Sequence, residues 1–440
     1  MIVHAGKARL GSGPSDSRAP RVERPAVRME ETRMTPPHKK WYRLADKVWN
    51  PVNLAQAAAA VLANQGAAGV DHQSCDQYAA RLGEELDWLG RAMREHRYQP
   101  LPVRRVWIPK PGTQKRRPLG VPTIRDRVAE EALRRVLEPI WEPTFSPDSY
   151  GFRPGRSAHE AVYRIFNHLN HGYPWVVDAD IRDYFGSIDQ RLLMDKVAER
   201  VSDGTVLGWI RDMLRAGVMD AGQWQATPQG TSQGSVISPL LANIYLDALD
   251  QAMAALPGIQ FIRYADGWCA LARTQVEAEA VLKTAQTVLD ELRLTLHPEK
   301  TRIVNVQDTA FDFLGFTFFW VQSQDGTGRP LFGPKQAAIE RFKARVRELT
   351  RRTRPMNLQM VIDNLAPVIR GWGRYFTISH HGDYYRLDAW IRERCRAFVA
   401  KRWNRSPVLD AEWTNARLAG MGLPSLAEMR RHVKAQLPRP

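Results

Sequence analysis

Apolar positions recur at helical spacing from 41 to 98, with an Ala-rich stretch at 54–63 and a second run holding Leu82, Leu86, Leu89 and Met93. These predict core-facing helices. The segment 104–122, RRVWIPKPGTQKRRPLGVP, alternates apolar and polar residues about Pro111-Gly112, which predicts two short strands joined by a turn. A helix is expected over 125–137, a loop at 149–159 (SYGFRPGRSAH), an apolar strand at 175–181 (WVVDADI) and a long buried helix at 236–256. A β-hairpin follows at 260–273 and an aromatic-rich strand at 311–320. Beyond Pro334 the pattern changes to basic amphipathic helices, the first carrying Ile339, Phe342, Val346 and Leu349 on one face. No internal repeat is present.

Residues 1–38 have no apolar period and are rich in Arg, Pro, Ser and Gly, the composition of a disordered basic leader. Met29 and Met34 stand just before the first patterned segment, so a later start would remove part of it. The 440-residue chain is 44% hydrophobic, enough for two or three packed domains. Its formal charge of +16 points to a polyanionic partner, against the plainer alternative of a merely basic enzyme. Cys75, Cys269 and Cys395 are too few and too scattered for a disulfide framework or a zinc site, and a reducing cytoplasm fits them. Without an 18-residue apolar run or an N-terminal apolar core, the chain is expected to be neither membrane-spanning nor secreted.

Two aspartates stand where chemistry can be placed. Asp180 ends the apolar strand, and Asp266 lies in FIRYADGWCAL at the tip of the hairpin. Each also has a bland reading: a solvated strand end, and an Asp-Gly turn of type I′. Together, strand-borne carboxylates that converge can hold a pair of Mg²⁺ ions for phosphoryl transfer. Lys110 and Arg117 flank the Pro-Gly turn and can reach one anion, or else form a solvated basic hairpin. The loop TPQGTSQGSVISP at 227–239 can support a base and ribose through Gln233 and Gly234, although the repeat of TPQG as TSQG leaves its register open.

The ordered blocks IPK with RPLGVP, DRV, LEPIWEPTF, SYGFRPGRSAH, DADIRDYF, QGSVISPLLANIYLD, YADG, HPEKT and FDFLGF resemble the reverse transcriptase of group II intron-encoded proteins. NQGAAGVD at 64–71 resembles that family's extra N-terminal block. KQAAIERFKARVRELTRR, LAPVIRGWGRYF and the run from 385 to 403 resemble its maturase (X) domain, which serves as thumb and intron RNA-binding surface. The resemblance implies an α+β right-hand polymerase fold. It comprises a helical fingers extension (41–100), fingers and palm (101–325), an α-helical thumb/maturase domain (333–405) and a short tail (406–440) without an endonuclease domain.

By the same resemblance, Asp180, Asp266 and the backbone of Ile181 bind Mg²⁺, and Lys110 and Arg117 bind triphosphate. Phe185 is the gate against a ribose 2′ hydroxyl, and Gln233 with Gly234 contacts the incoming nucleotide. Lys300 is the proton donor to pyrophosphate or a surface lysine. The implied partners are group II intron RNA, an RNA template with DNA primer, and dNTPs, with no membrane and with a homodimer allowed. Between 335 and 402 sixteen Lys and Arg face six Asp and Glu, a net +10 suited to tracking phosphates. Leu387, Trp390, Ile391, Cys395 and Phe398 form the apolar face of one helix. Arg386, Arg392, Arg396 and Lys401 lie mostly off it, as an RNA-binding stripe.

One position departs from the family pattern. Gly267 stands where a second palm aspartate is expected, and Asp178 and Asp183 are its nearest candidate substitutes. Three functions follow: an RNA-directed DNA polymerase acting with intron RNA in splicing and retrohoming, a polymerase-deficient maturase, or a host-repurposed reverse transcriptase.

Overall fold

Single polar side chains start the first helices. Asn50 accepts a hydrogen bond from the Val52 amide at 2.9 Å, with Pro51 in the first turn of α1 (Pro51–Ala63). The structure, a computed structural model, describes residues 40–109, 116–322, 328–402 and 412–436. The leader expected at 1–38 and the Pro111-Gly112 turn lie outside the described residues. After α2 (Leu82–Arg94), strands β1 (Val103–Pro109) and β2 (Arg116–Val121) pair antiparallel, as the alternation predicts. Thr123 caps α3 (Ile124–Trp141), and α1 packs on α3 with the Asn53 amide donating to the Ala132 carbonyl at 3.0 Å. The helix runs past 137 through Pro139, because Ile140 and Trp141 continue its buried face.

The palm follows. Helix α4 (Ala158–Asn170) leads to β3 (Trp175–Asp180), then α5 (Gln190–Ala198), α6 (Gly204–Arg215) and the short strands β4 (Val218–Asp220) and β5 (Gln223–Gln225). Strands β2-β1-β4-β5 form one sheet. Next come the buried helix α7 (Ser238–Ala254), the hairpin β6 (Gln260–Tyr264) and β7 (Gly267–Ala272), helix α8 (Gln275–Glu291) and β8 (Arg302–Asn305). The palm sheet has the order β6-β7-β3-β8, all antiparallel. Alternation gives it two buried faces. Val177, Ala179, Trp268 and Ala270 join the core with α7 and α8, whereas Val176, Cys269, Leu271 and Val304 pack with α4 and the aromatic strands.

The expected strand at 311–320 is two strands. β9 (Phe311–Phe313) and β10 (Phe316–Gln322) pair through Phe313 and Phe316 across Leu314 and Gly315, both at positive φ (50° and 82°). That is a type I′ hairpin turn, for which the Leu-Gly dipeptide is a weaker signal than Asn-Gly. β11 (Gly328–Pro334) completes this sheet.

Helices α9 (Gln336–Leu349), α10 (Leu358–Phe376) and α11 (Tyr384–Arg402) enclose a separate core with Phe342, Val346, Leu365, Ile391 and Phe398. The segment expected as a tail is part of it. Leu418, Leu426 and Ala427 are buried there, and the Asp388 carboxylate accepts from the Ser425 hydroxyl and the Leu426 and Ala427 amides, fixing the start of α12 (Leu426–Gln436). The sequence reading missed this because Asn404, Arg405, Ser406, Pro407 and Asp410 break the helical apolar period between the two elements. Together these layers are the α+β right-hand fold with fingers, palm and helical thumb. No helix among the described residues is long and apolar enough to cross a membrane.

Candidate active site

Asp180 is the last residue of β3 and pairs across the sheet with Gly267, the first residue of β7. Asp266 precedes Gly267, so the two carboxylates project from neighbouring strand ends, near enough for Asp180 to help raise the pKa of Asp266. Burial is the main cause of that rise, and Lys300 and Arg263 oppose it. Lys300 forms an ion pair with the Asp180 carboxylate. Ile181 is buried, and the chain around it bridges the 295–297 segment, with the His297 amide donating to the Asp180 carbonyl at 2.8 Å.

The turn itself differs from expectation. Tyr264 pairs with Gly267, so the two loop residues are Ala265 and Asp266, not Asp266 and Gly267. Ala265 carries the positive φ, 59°, in the place where such a turn favours glycine. A buried guanidinium stabilises it. Arg263, fully buried, makes two 2.6 Å bonds to Asp250 and donates from Nη1 to the Asn243 side chain and the Ala265 carbonyl, each at 3.0 Å. The Asn243 amide also donates to the Gly151 carbonyl at 2.9 Å, and a Cβ at Gly151 would overlap the Ala265 backbone nitrogen. Sequence reasoning missed Arg263, Asp250 and Asn243. The available signal was a charge inside an apolar strand facing polar residues in an otherwise apolar helix.

Phe185 is half-buried, edge-on to Phe152 with ring centres 6.2 Å apart. Its carbonyl accepts from the Thr231 amide at 2.7 Å, which docks the glycine-rich loop beside it. The same loop reaches the fingers. The Gln233 carbonyl accepts from the Gly120 amide at 2.7 Å, and Gly234, at φ 117°, lies so close to the Gly120 carbonyl that a Cβ would overlap it. From α3, the buried Glu130 accepts from the Val236 amide at 2.6 Å and from Ser235, while burial pushes its pKa up to about 7. Arg117 is exposed on β2 opposite Ile108, and Lys110 lies outside the described residues.

The two candidate substitutes for an acid at 267 are differently engaged. Asp178 shares the Asp180 face but is opposite Arg302, whose Nε donates to it at 3.3 Å. Asp183 is exposed at φ 44°, with its carboxylate over Gly186. Oxygen donors from Asp180, Asp266 and the Ile181 backbone are the hard set that suits Mg²⁺, but among the described residues no group of three or more His, Cys, Asp or Glu converges on one point. In donor chemistry the set fits the ion.

On the thumb, the α11 apolar face is buried as expected through Leu387, Ile391, Cys395 and Phe398, with Trp390 packed beside it. Arg386 is 89% exposed and Arg392 partly so, but Arg396 turns inward, donating to the Trp413 carbonyl at 2.9 Å and to Asn415 at 2.8 Å. Lys401 lies on α11, and its side chain is outside the described residues. Arg394 donates to Thr350, and Arg347 lies over the Trp390 ring at 5.5 Å. Burial lowers the Arg394 pKa, aided by Arg352 and Arg347, so these cations form a cluster the sequence reading did not single out.

Comparison with known proteins finds two matched families along the chain. Residues 108–318 match the family of the reverse transcriptase (RNA-dependent DNA polymerase), and residues 339–418 match the group II intron, maturase-specific domain. Protein YkfC of Escherichia coli is 34% identical, over 70% of this chain and 91% of that protein. The group II intron-encoded protein LtrA of Lactococcus lactis subsp. cremoris is 37% identical over 44% of this chain, and the match spans 32% of LtrA. Among solved structures, a partial Cas6-RT-Cas1--Cas2 complex aligns at 25% identity and a TM-score of 0.36, over 56% of this chain and 42% of that one. The two carboxylates and the glycine-rich loop fall within the residues matched to the reverse transcriptase family, the basic thumb helices overlap those matched to the maturase-specific domain, and the chain belongs to the group II intron-encoded reverse transcriptase/maturase family.

Proposed function

We propose that this protein binds group II intron RNA and assists its splicing, with RNA-directed DNA synthesis built into its fold but impaired in its chemistry. The observation that carries the reading is Gly267 directly opposite Asp180, where a third acidic side chain would face the same side of the sheet. Asp180, Asp266 and the Ile181 backbone would hold Mg²⁺, which when bound activates the primer 3′ hydroxyl and neutralises charge on the transferred phosphoryl group. Phe185 would exclude a ribose 2′ hydroxyl, Gln233 and Gly234 would seat the incoming dNTP, Arg117 with Lys110 would hold its triphosphate, and Lys300 would protonate pyrophosphate. Losing one carboxylate from such a site removes several kcal/mol of transition-state stabilisation, and ~4 kcal/mol is about a 10³-fold loss of rate.

The thumb supports the RNA half of the reading through its net +10 between 335 and 402. We place the fingers extension at 41–100 and the palm with its adjoining strands before 335, and we join 412–436 to the thumb because that segment shares the thumb core. The test is steady-state primer extension on an RNA template with Mg²⁺, alongside binding of structured intron RNA. Weak or absent extension with intact RNA binding is expected, and robust extension by the wild type would overturn the reading.

A further inference from the structure

The palm carries a second concave surface that the polymerase geometry does not use. A cleft of about 690 Å³ lies among α5, α6 and β5, with Thr227 and Pro228 of the glycine-rich loop in its lining. Arg191 enters it from α5, and Arg211 and Arg215 enter from α6, all three exposed. Residues four apart share a helix face, so the last two guanidinium groups point the same way. Trp224 on β5 is 57% exposed yet fixed. Its Nε1 donates to the Ala216 carbonyl at 3.3 Å, and Nε1 and Cε2 lie so close to Gly217 that a Cβ there would overlap them. The Nε1–Cε2 edge of the indole is therefore held, and more than half of the side chain is open to solvent. Asp189 and Asp195 also line the cleft, and Asp189 is engaged by Arg293 at 2.6 Å and by the Arg191 and Leu192 amides.

A fixed, open indole beside three guanidinium groups is the chemistry that stacks a nucleobase and neutralises its phosphates. We propose that the cleft binds a nucleotide of single-stranded RNA, its base on Trp224 and its flanking phosphates on Arg191, Arg211 and Arg215. A strand is favoured over a free mononucleotide because the cations come from two helices and serve phosphates on both sides of one base. The site is tied to the polymerase centre. The Gln190 side-chain amide donates to the carbonyls of Leu214, Thr227 and Gly230 at 3.0–3.1 Å, linking the cleft wall to the loop that carries Gln233. RNA seated here is held against the back of that loop.

The proposal rests on the RNA-binding reading above, and the experiment separates the two. Fluorescence anisotropy of a short, unstructured, end-labelled RNA is measured with the full chain over a range of salt, with circular dichroism confirming that each variant folds. Trp224→Ala weakens binding ~10-fold and Trp224→Phe restores most of it, since any aromatic face stacks a base. Combining Arg211→Gln with Arg215→Gln lowers the slope of log affinity against log salt by about 1.4, the value for two phosphates of a single strand. Wild-type affinity and slope in both variants would overturn the cleft while leaving intron binding standing. Displacement of the RNA by AMP or UMP at concentrations matching their own tight, Trp224-dependent binding would make this a free-nucleotide site and also overturn it. If the wild type binds no RNA of any kind, the reading of the previous section fails with it.

Discussion

Asp180 and Gly267 face each other as paired residues of β3 and β7, so the side chain that Gly267 lacks would stand beside the Asp180 carboxylate. Nothing in the local fold requires glycine there. A Cβ at 267 would meet nothing nearer than the Tyr264 carbonyl, at 3.8 Å. The residue is part of the strand, and the left-handed conformation of the turn falls on Ala265 instead.

Gly267→Asp should therefore fold and gain activity. Primer extension is expected to rise at least ~10-fold, equivalent to about 1.4 kcal/mol of transition-state stabilisation. Without Mg²⁺ the added carboxylate opposes Asp180 and Asp266 and lowers the melting temperature slightly, and Mg²⁺ restores it more than in the wild type. Differential scanning fluorimetry with and without the ion reads this independently of catalysis. Unchanged extension together with an unchanged Mg²⁺ response would show that residue 267 does not belong to the metal site.

The proposed sugar gate is Phe185, whose ring lies edge-on to Phe152 and whose carbonyl anchors the glycine-rich loop. In the Gly267→Asp background, Phe185→Ala should raise the ratio of ribonucleotide to deoxynucleotide incorporation. Gel-resolved extension with each nucleotide class checks it, and an unaltered ratio counts against the gate.

Breaking the buried pair beneath the turn should be severe. Arg263→Met leaves the Asp250 carboxylate buried without its cation, and removal of one partner from such a pair costs about 3–5 kcal/mol. Urea denaturation measures the loss. A change under 1 kcal/mol would mean that the pair is not what holds the hairpin in place.

Stability should also depend on pH through Glu130. Its pKa rises from the ordinary 4.5 to about 7 because it is buried, so the folded chain favours the neutral acid. The associated stabilisation is fully present below the unfolded pKa and is lost as pH climbs through the folded one, a change of ~3 kcal/mol. Glu130→Gln keeps an acceptor for the Val236 amide and cannot ionise. The wild type should therefore lose stability relative to this variant between about pH 5 and pH 8 in chemical denaturation. A constant difference across that range would show that Glu130 does not titrate there.

Thumb arginines divide by geometry. Intron RNA affinity should fall ~10³-fold or more between 50 and 200 mM salt if six or more phosphates are neutralised. Arg386→Gln should weaken binding with little effect on stability, because that side chain is 89% exposed. Arg396→Gln should instead loosen the 412–436 segment, whose Trp413 and Asn415 it holds. Limited proteolysis distinguishes the two, and a flat salt dependence would contradict the phosphate-tracking role.

Much of this was legible in the chain because the family blocks are local and their candidate carboxylates stand at the ends of predictable strands. The strand at 175–181, the hairpin at 260–273, the helix at 236–256 and the apolar face of α11 follow from periodicity, and the pairing of the first two follows from the motif order. What escaped depends on partners far apart in sequence. Arg263 reads as an interruption of a strand until Asp250 and Asn243 are seen around it. Arg396 reads as a solvated cation until residues 413 and 415 fold back onto it. The Leu314-Gly315 turn is hidden by the aromatic residues on both sides, which look like one uninterrupted strand.

The guanidinium of Arg263 has a consequence for how such proteins age. It locks Ala265 from within the core, through contacts in which residue 267 takes no part. Folding thus inspects the inner side of the hairpin, and chemistry uses the outer side. A lineage retained only for its grip on RNA would preserve a well-formed polymerase cleft after the catalytic set had lapsed, as a pseudoenzyme indistinguishable in outline from its active kin. Under the proposed function, one codon at position 267 would be the distance back.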